Sequence, residues 1–241
     1  MRAETRHQLK QDRFSRTTME VAEKTMDWSA AHQSPLIVGG LILVIVAAAV
    51  AGGWYYLSQQ DEQASVGLSQ AVRTLDMPLR PAGTPAQPEF PSFASAKERA
   101  TQAHKEFQAV VDKYPHTRSG EIARYFVGLT SSDLGDTAAA ERELKAVAGS
   151  SKGDLASLAN FALASVYREE GRNKDAIEIY KKLAANPTSA VAKTTAQLEM
   201  AATYQADQQP LEAKRVYEQV QKESPGTDAA TTAQQKLNEI K

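Results

Sequence analysis

The chain has 241 residues, with 28 Lys+Arg against 29 Asp+Glu, four His and no Cys. A formal net charge of −1 argues against a globally basic nucleic-acid binder. Without cysteine there is no disulfide framework, no thiolate-held zinc or iron–sulfur centre and no thiol nucleophile, so oxidising and reducing compartments are tolerated alike.

Residues 1–34 are too few for an independent core. Phe14, Val21 and Trp28 recur every seven residues with Thr18 and Thr25 between them, which places them on one stripe of a helix. The sequence predicts a short amphipathic cytosolic head, lying on the membrane surface, fraying in water or docking a membrane partner.

Leu36–Leu57 reads LIVGGLILVIVAAAVAGGWYYL, 22 residues without a charge. As a helix this run is roughly 33 Å long, matching a hydrocarbon core of about 30 Å. Trp54, Tyr55 and Tyr56 stand at one end, where aromatic rings prefer the interface, and Pro35 precedes the other. A buried core helix would be shorter and would carry a polar stripe. A cleaved signal peptide has a shorter leader and a shorter apolar run. The expectation is therefore an uncleaved signal anchor over 35–57. Arg2, Arg6, Lys10, Arg13, Arg16 and Lys24 precede the run, whereas only Arg73 lies in the 20 residues after it. The positive-inside rule then puts the N-terminus in the cytosol and the remainder outside it. Ala48/Gly52 and Ala49/Gly53 are small-xxx-small pairs that leave a homodimer open without favouring it.

Residues 58–94 read as a helix extension followed by a proline-rich spacer. Leu68, Val72 and Leu75 share a helical face, and then come Pro78, Pro81, Pro85, Pro88 and Pro91. Such a stretch serves as a semi-rigid spacer or as a ligand for a partner domain, with Phe90 and Phe93 available to pin it.

Past Ser95 the chain repeats. Gly128, Ala164 and Ala201 are 36 and 37 residues apart. Ser131, Tyr167 and Tyr204 follow them by three residues, and Ala140, Ala176 and Ala213 by twelve. Leu144, Tyr180 and Tyr217 come four later, Gly135 and Gly171 fall between, and Pro187 and Pro225 close two of the units. Small residues permit close crossing of two antiparallel helices, large ones fill the gaps, and neighbouring pairs must stack to bury their apolar faces. The boundaries are a half-unit over 95–117 (Ala103, Phe107 and Pro115 match second-helix positions), repeats over 118–153, 154–190 and 191–226, and a cap helix over 228–241 with Asp228 as N-cap.

These residues resemble the tetratricopeptide repeat family, most clearly in Leu163–Pro187 and Met200–Pro225. The period of 36–37 exceeds the 34 of that family, and the first copy has Ser131 and Leu144 where aromatics are usual. The fold expected is all-α: one N-terminal transmembrane helix, then a tetratricopeptide-like helical-repeat solenoid, a right-handed superhelix with a C-terminal capping helix. The resemblance implies a peptide-binding groove lined by first helices. Carried over by register, it assigns Tyr125, Phe161 and Leu198, then Leu129, Ser165 and Ala202, then Ser132, Arg168 and Gln205. Alternatively, Tyr125, Phe161 and Leu198 pack against the proline-rich segment or the helix after the membrane. The basic set by which some relatives clamp a carboxylate is absent, since only Arg168 is basic among these positions.

Nothing in the sequence points to catalysis. It contains no GxSxG, P-loop, GxGxxG or HExxH. His104 and His116 are 12 apart, which is no metal-like spacing, and both read as solvated surface residues. No cofactor, metal or nucleic acid is expected. The overall plan, together with the opening RHQLKQDRF (Arg6–Phe14), resembles the ancillary subunit of the bacterial SecYEG translocon. That resemblance implies an inner-membrane protein with a periplasmic repeat domain, meeting translocon subunits, periplasmic chaperones or exported clients. The lipid bilayer would be a further partner, through Leu36–Leu57. The alternative is an envelope scaffold for cell-division or outer-membrane assembly machinery.

Overall fold

The structure, a computed structural model, describes residues 33–81, 83–85 and 91–240; the amphipathic head, Pro88 and Phe90 lie outside the described residues. Among the described residues there are nine α-helices: α1 Gln33–Asp76, α2 Ala96–Lys113, α3 Arg118–Asp133, α4 Thr137–Ser150, α5 Asp154–Glu169, α6 Asn173–Ala185, α7 Lys193–Ala206, α8 Pro210–Glu223 and α9 Asp228–Glu239. No strand forms among them; Leu79 and Phe93 make one isolated bridge. The chain divides into two compact units between Tyr56 and Leu57.

In the first unit, α1 is long and apolar enough to cross a membrane, with a mean hydropathy of 2.4 over its most apolar stretch, none of it buried. Ile37 is 69% exposed and Trp54 74%. Such a helix, with none of its apolar stretch buried among the described residues, is a candidate membrane span by length and composition.

The second unit stacks helix pairs. In each pair a small residue lets the helices close. Ala164, Ala201, Ala140, Ala176 and Ala213 are completely buried. A Cβ added to Gly128 would stand 2.7 Å from Leu144 Cγ, so only glycine fits that crossing. Leu144, Tyr180 and Tyr217 fill the space beside them. The turn between first and second helix recurs with the same hydrogen bonds: Asp136 N–H donates to Ser131 O, Arg172 N–H to Tyr167 O and Gln209 N–H to Tyr204 O, at 2.8–2.9 Å. Gly135 (φ 85°), Gly171 (φ 74°) and Gln208 (φ 56°) take the left-handed position that ends each first helix.

The helix extension does more than continue the span. Ala71 lies where Gly128, Ala164 and Ala201 lie in later pairs, and Ala64 and Ala71 are fully buried with Ala103, Phe107 and Val110. Gly67 approaches so closely that a Cβ there would meet Val110 Cγ2 at 2.9 Å. Polar contacts lock the same pairing: Thr74 Oγ1 donates to Glu106 (2.7 Å), Tyr114 O–H to Gln63 (3.1 Å), and Asp61 accepts from the Ser119 N–H at the start of α3 (2.8 Å). The α2 segment expected to stand as a half-unit therefore has its partner, and Leu57–Asp76 is the first helix of a complete repeat. Sequence periodicity misses this because about 20 extra residues fall inside the repeat, at the turn.

The extra residues lie in the stretch expected to be a spacer. Residues 77–95 leave α1 and return to α2, and their ends are clasped together: Arg80 N–H donates to Phe93 O (2.9 Å), Phe93 N–H to Pro78 O (3.1 Å) and Arg80 Nη1 to Ser92 O (2.7 Å). The described ends of this stretch are thus held together beside the α1–α2 pair.

On α1, Gln63 and Gln70 line a groove against Glu106 and Lys113 of α2. At the other end α9 buries Ala233 and turns Gln234, Gln235 and Glu239 to solvent, as a capping helix must. The α9 cap itself is Thr227, whose Oγ1 accepts from Ala230 N–H; Asp228, expected at that position, is the first helical residue. There its charge still complements the helix dipole.

Candidate interaction surface

The first helices α3, α5 and α7 each begin after an extended or turn residue that sets their direction. Thr117 caps α3 by accepting from Gly120 N–H at 3.0 Å, and Ala192 leads α7 in extended conformation. Along these helices the residues assigned to a groove are all half-buried: Tyr125, Leu129 and Ser132 on α3, Phe161, Ser165 and Arg168 on α5, Leu198, Ala202 and Gln205 on α7. They recur at matching register positions of successive first helices.

Each rung is braced from behind. The Phe161 ring meets Tyr180 edge-on, centroids 5.5 Å apart, and Ser165 Oγ lies 3.3 Å from the Tyr180 hydroxyl. Tyr125 meets Phe126 edge-on at 5.4 Å, while Phe126 stacks on Phe107 at 4.8 Å. Tyr125, Phe161 and Leu198 thus pack against the core of their own repeats. Burial raises the phenol pKa of Tyr125 and of Tyr180. Gln205 Oε1 accepts from Tyr217 O–H at 3.0 Å.

Arg168 is not a free cation: its guanidinium pairs with Glu199 on the next first helix at 2.5 Å. Glu169 accepts from Ser132 Oγ at 3.3 Å. The rungs are therefore stitched to one another by their polar ends. Their periodic apolar positions were visible in the sequence; the cross-repeat pairs, 31 and 37 residues apart, carried no signal there.

A second polar cluster stands on α4, α5 and α6. Arg172 lies over the Tyr167 ring, 3.9 Å from its centroid, and pairs with Glu141 at 2.8 Å and with Glu170 and Asp175. Glu141 also takes the Lys145 ammonium and the Tyr167 hydroxyl. The Lys145 hydrogen bond, with Arg172 and Tyr167 adding to it against a desolvation cost, holds the Glu141 carboxyl at about 2. Every partner of this carboxylate is already a protein group, so the cluster reads as a clasp between repeats. His104, expected to be solvated, is instead half-buried with Nδ1 3.0 Å from Thr130 Oγ1, bridging α2 and α3; His116 is exposed. Among the described residues no group of three His, Asp or Glu is placed to hold a metal ion.

A family model described as a tetratricopeptide repeat-like domain matches residues 27–241. The chain belongs to this family. Its repeat domain also resembles solved structures of the nearly identical tetratricopeptide-like repeats of a kinesin light chain from Podosopora anserina. The identity is 16%, the match covers 75% of this chain and 86% of that one, and the TM-score is 0.56. A variant of the same protein matches with the same identity and TM-score over 85% of its length. At such identity the likeness concerns the fold alone. No curated protein matches the sequence. Tetratricopeptide-like repeats are in general scaffolds for protein–protein contact, and the repeat domain here is an interaction module of that kind.

Proposed function

We propose that this protein is a membrane-anchored, non-enzymatic interaction protein, ancillary to the Sec translocon, whose first-helix face holds exported polypeptides or periplasmic chaperones outside the cytosol. The observation that carries the anchoring is the uncharged run after Leu36: residues 37–59 are all exposed on a helix whose later part belongs to the repeat stack. A stretch so apolar would be costly in water and is stable in lipid. The six Lys and Arg residues before the run, against Arg73 after it, support an N-terminus in the cytosol. The plan of short head, single span and repeat domain, with the opening Arg6–Phe14, supports the translocon as its setting.

The test is affinity purification of the full chain in mild detergent from cells crosslinked through a photoreactive residue at Phe161. Recovery of translocon subunits, with exported chains or chaperones crosslinked at Phe161, is the expected result. Recovery of septal or outer-membrane assembly proteins in their place would overturn the translocon assignment and favour an envelope scaffold.

A further inference from the structure

We propose that Pro78–Pro81, at the start of the connection between α1 and α2, is a docking ligand in its own right. It is an extended Pro-x-x-Pro segment that fits an aromatic-lined groove, with a carboxylate at its rim, on a partner protein. This goes beyond the reading of the first-helix face and does not rest on it. The later turns from first to second helix take three residues each, 134–136, 170–172 and 207–209, whereas this connection runs over 77–95. The short turns show that closing such a helix pair needs no added length, and a connection this long in a compact domain commonly carries function.

The conformation of the segment is set in advance. Proline fixes its own φ and turns the residue before it away from helix, which biases Met77 and Arg80 towards extended backbone. The clasp adds to this: Phe93 N–H donates to Pro78 O at 3.1 Å and Arg80 N–H to Phe93 O at 2.9 Å. A turn then ends the segment, where Thr84 N–H donates to Pro81 O at 3.1 Å and Gly83 takes a φ of 83°. Pro78, Leu79 and Pro81 are all exposed. With three residues per turn in a polyproline II helix, Pro78 and Pro81 share one face. A ligand held in this way has little ordering entropy left to lose on binding.

The hydrogen bonds select the mode of recognition. Pro78 and Pro81 have no N–H, and Arg80 gives its own to Phe93 O, so Leu79 alone can donate to a partner backbone. Strand addition would be starved of donors. A partner must instead grip side chains, as aromatic-lined grooves grip proline rings. Pro78, Leu79, Pro81 and Pro85 border a hollow of about 240 Å³, room for one aromatic side chain of the partner. Charge selects the rim. Arg80 Nη1 donates to the neutral Ser92 O at 2.7 Å, and no carboxylate pairs with Arg80 among the described residues. The other N–H groups of its guanidinium fork suit a carboxylate beside the groove.

The probe is a fluorescein-labelled, isolated SH3 domain with acidic residues beside its aromatic groove, titrated by fluorescence anisotropy against the full chain in lipid nanodiscs. Saturable binding is expected, with none to empty nanodiscs. Pro78→Ala and Pro81→Ala should each weaken it about tenfold, whereas Pro91→Ala, on the returning arm, should leave it unchanged. Arg80→Gln should weaken binding of this domain but not of the same domain with its rim carboxylates replaced by amides. A synthetic peptide of residues 76–84 should compete with the full chain for the probe. Circular dichroism melts identify any variant that does not fold, and the peptide competition then decides. Absence of saturable binding, or wild-type affinity in the Pro78→Ala/Pro81→Ala double variant, would overturn the proposal and leave the first-helix reading untouched. A loss in Pro91→Ala equal to that in Pro78→Ala would also overturn it, by placing the ligand elsewhere in the connection. Wild-type binding of both domains by Arg80→Gln would overturn the acidic rim.

Discussion

Gly135, Gly171 and Gln208 occupy the same left-handed turn position, yet only two of them are glycine. A non-glycine side chain there costs about 1 kcal/mol or more in steric strain. Gln208→Gly should therefore stabilise the repeat domain by about 0.5–1 kcal/mol, after the extra chain entropy of glycine is subtracted, and Gly171→Ala should destabilise it by about 1 kcal/mol. Urea titration of both variants checks the sign. At Glu141 the prediction is a pH dependence. Its carboxyl titrates at about 2 in the folded chain, against an ordinary value of 4.5. A depressed carboxylate contributes stability that is fully present above the unfolded value and lost as pH falls through the folded one. The stability difference between the wild type and Glu141→Gln should hold steady down to about pH 4.5 and shrink as pH approaches 2, as read by denaturant midpoints across that range.

At the scale of elements, the pairing of Leu57–Asp76 with α2 dictates where a stable fragment can begin. A fragment starting at residue 95 exposes Phe107, Val110 and Ala103 on the face that Ala64 and Ala71 cover. It should melt far lower than a fragment starting at residue 57, or aggregate, because a repeat cannot bury its apolar face alone. Circular dichroism melts of the two fragments distinguish the outcomes, with Phe107→Ala in the longer one costing about 3–5 kcal/mol. The proline-rich excursion bears differently on stability. Its ends already meet at the Leu79–Phe93 bridge, so replacing residues 78–94 with a three-residue turn like that at 134–136 should leave the melting temperature nearly unchanged. Most of its prolines are exposed, and closing a shorter loop lowers the entropy cost slightly.

For the molecule as a whole, the proposed anchoring assigns the two units to different solvents. The exposed run from Ile37 to Leu57 should keep the intact chain in the membrane pellet through high salt and release it only with detergent. The fragment from residue 57, whose apolar groups are largely buried, should be soluble by itself. Ultracentrifugation of both decides the point.

Much of this architecture is legible in the amino-acid sequence because it depends on local periodicity. A long uncharged run, a 36–37-residue recurrence of Gly128, Ala164 and Ala201, and paired large residues at Leu144, Tyr180 and Tyr217 are each one-dimensional signals of helices and how closely they cross. The nine candidate groove residues on α3, α5 and α7 share that legibility, since their half-burial follows from helical register. Only the tertiary structure decided that the helix leaving the apolar run supplies a repeat of its own. The excursion between Asp76 and Ala96 breaks the period, and pairing across it is a matter of space. The same holds for the Arg168–Glu199 pair, the Arg172 clasp and the His104–Thr130 contact. Each joins residues that folding brings within a few ångströms but that no spacing along the chain relates.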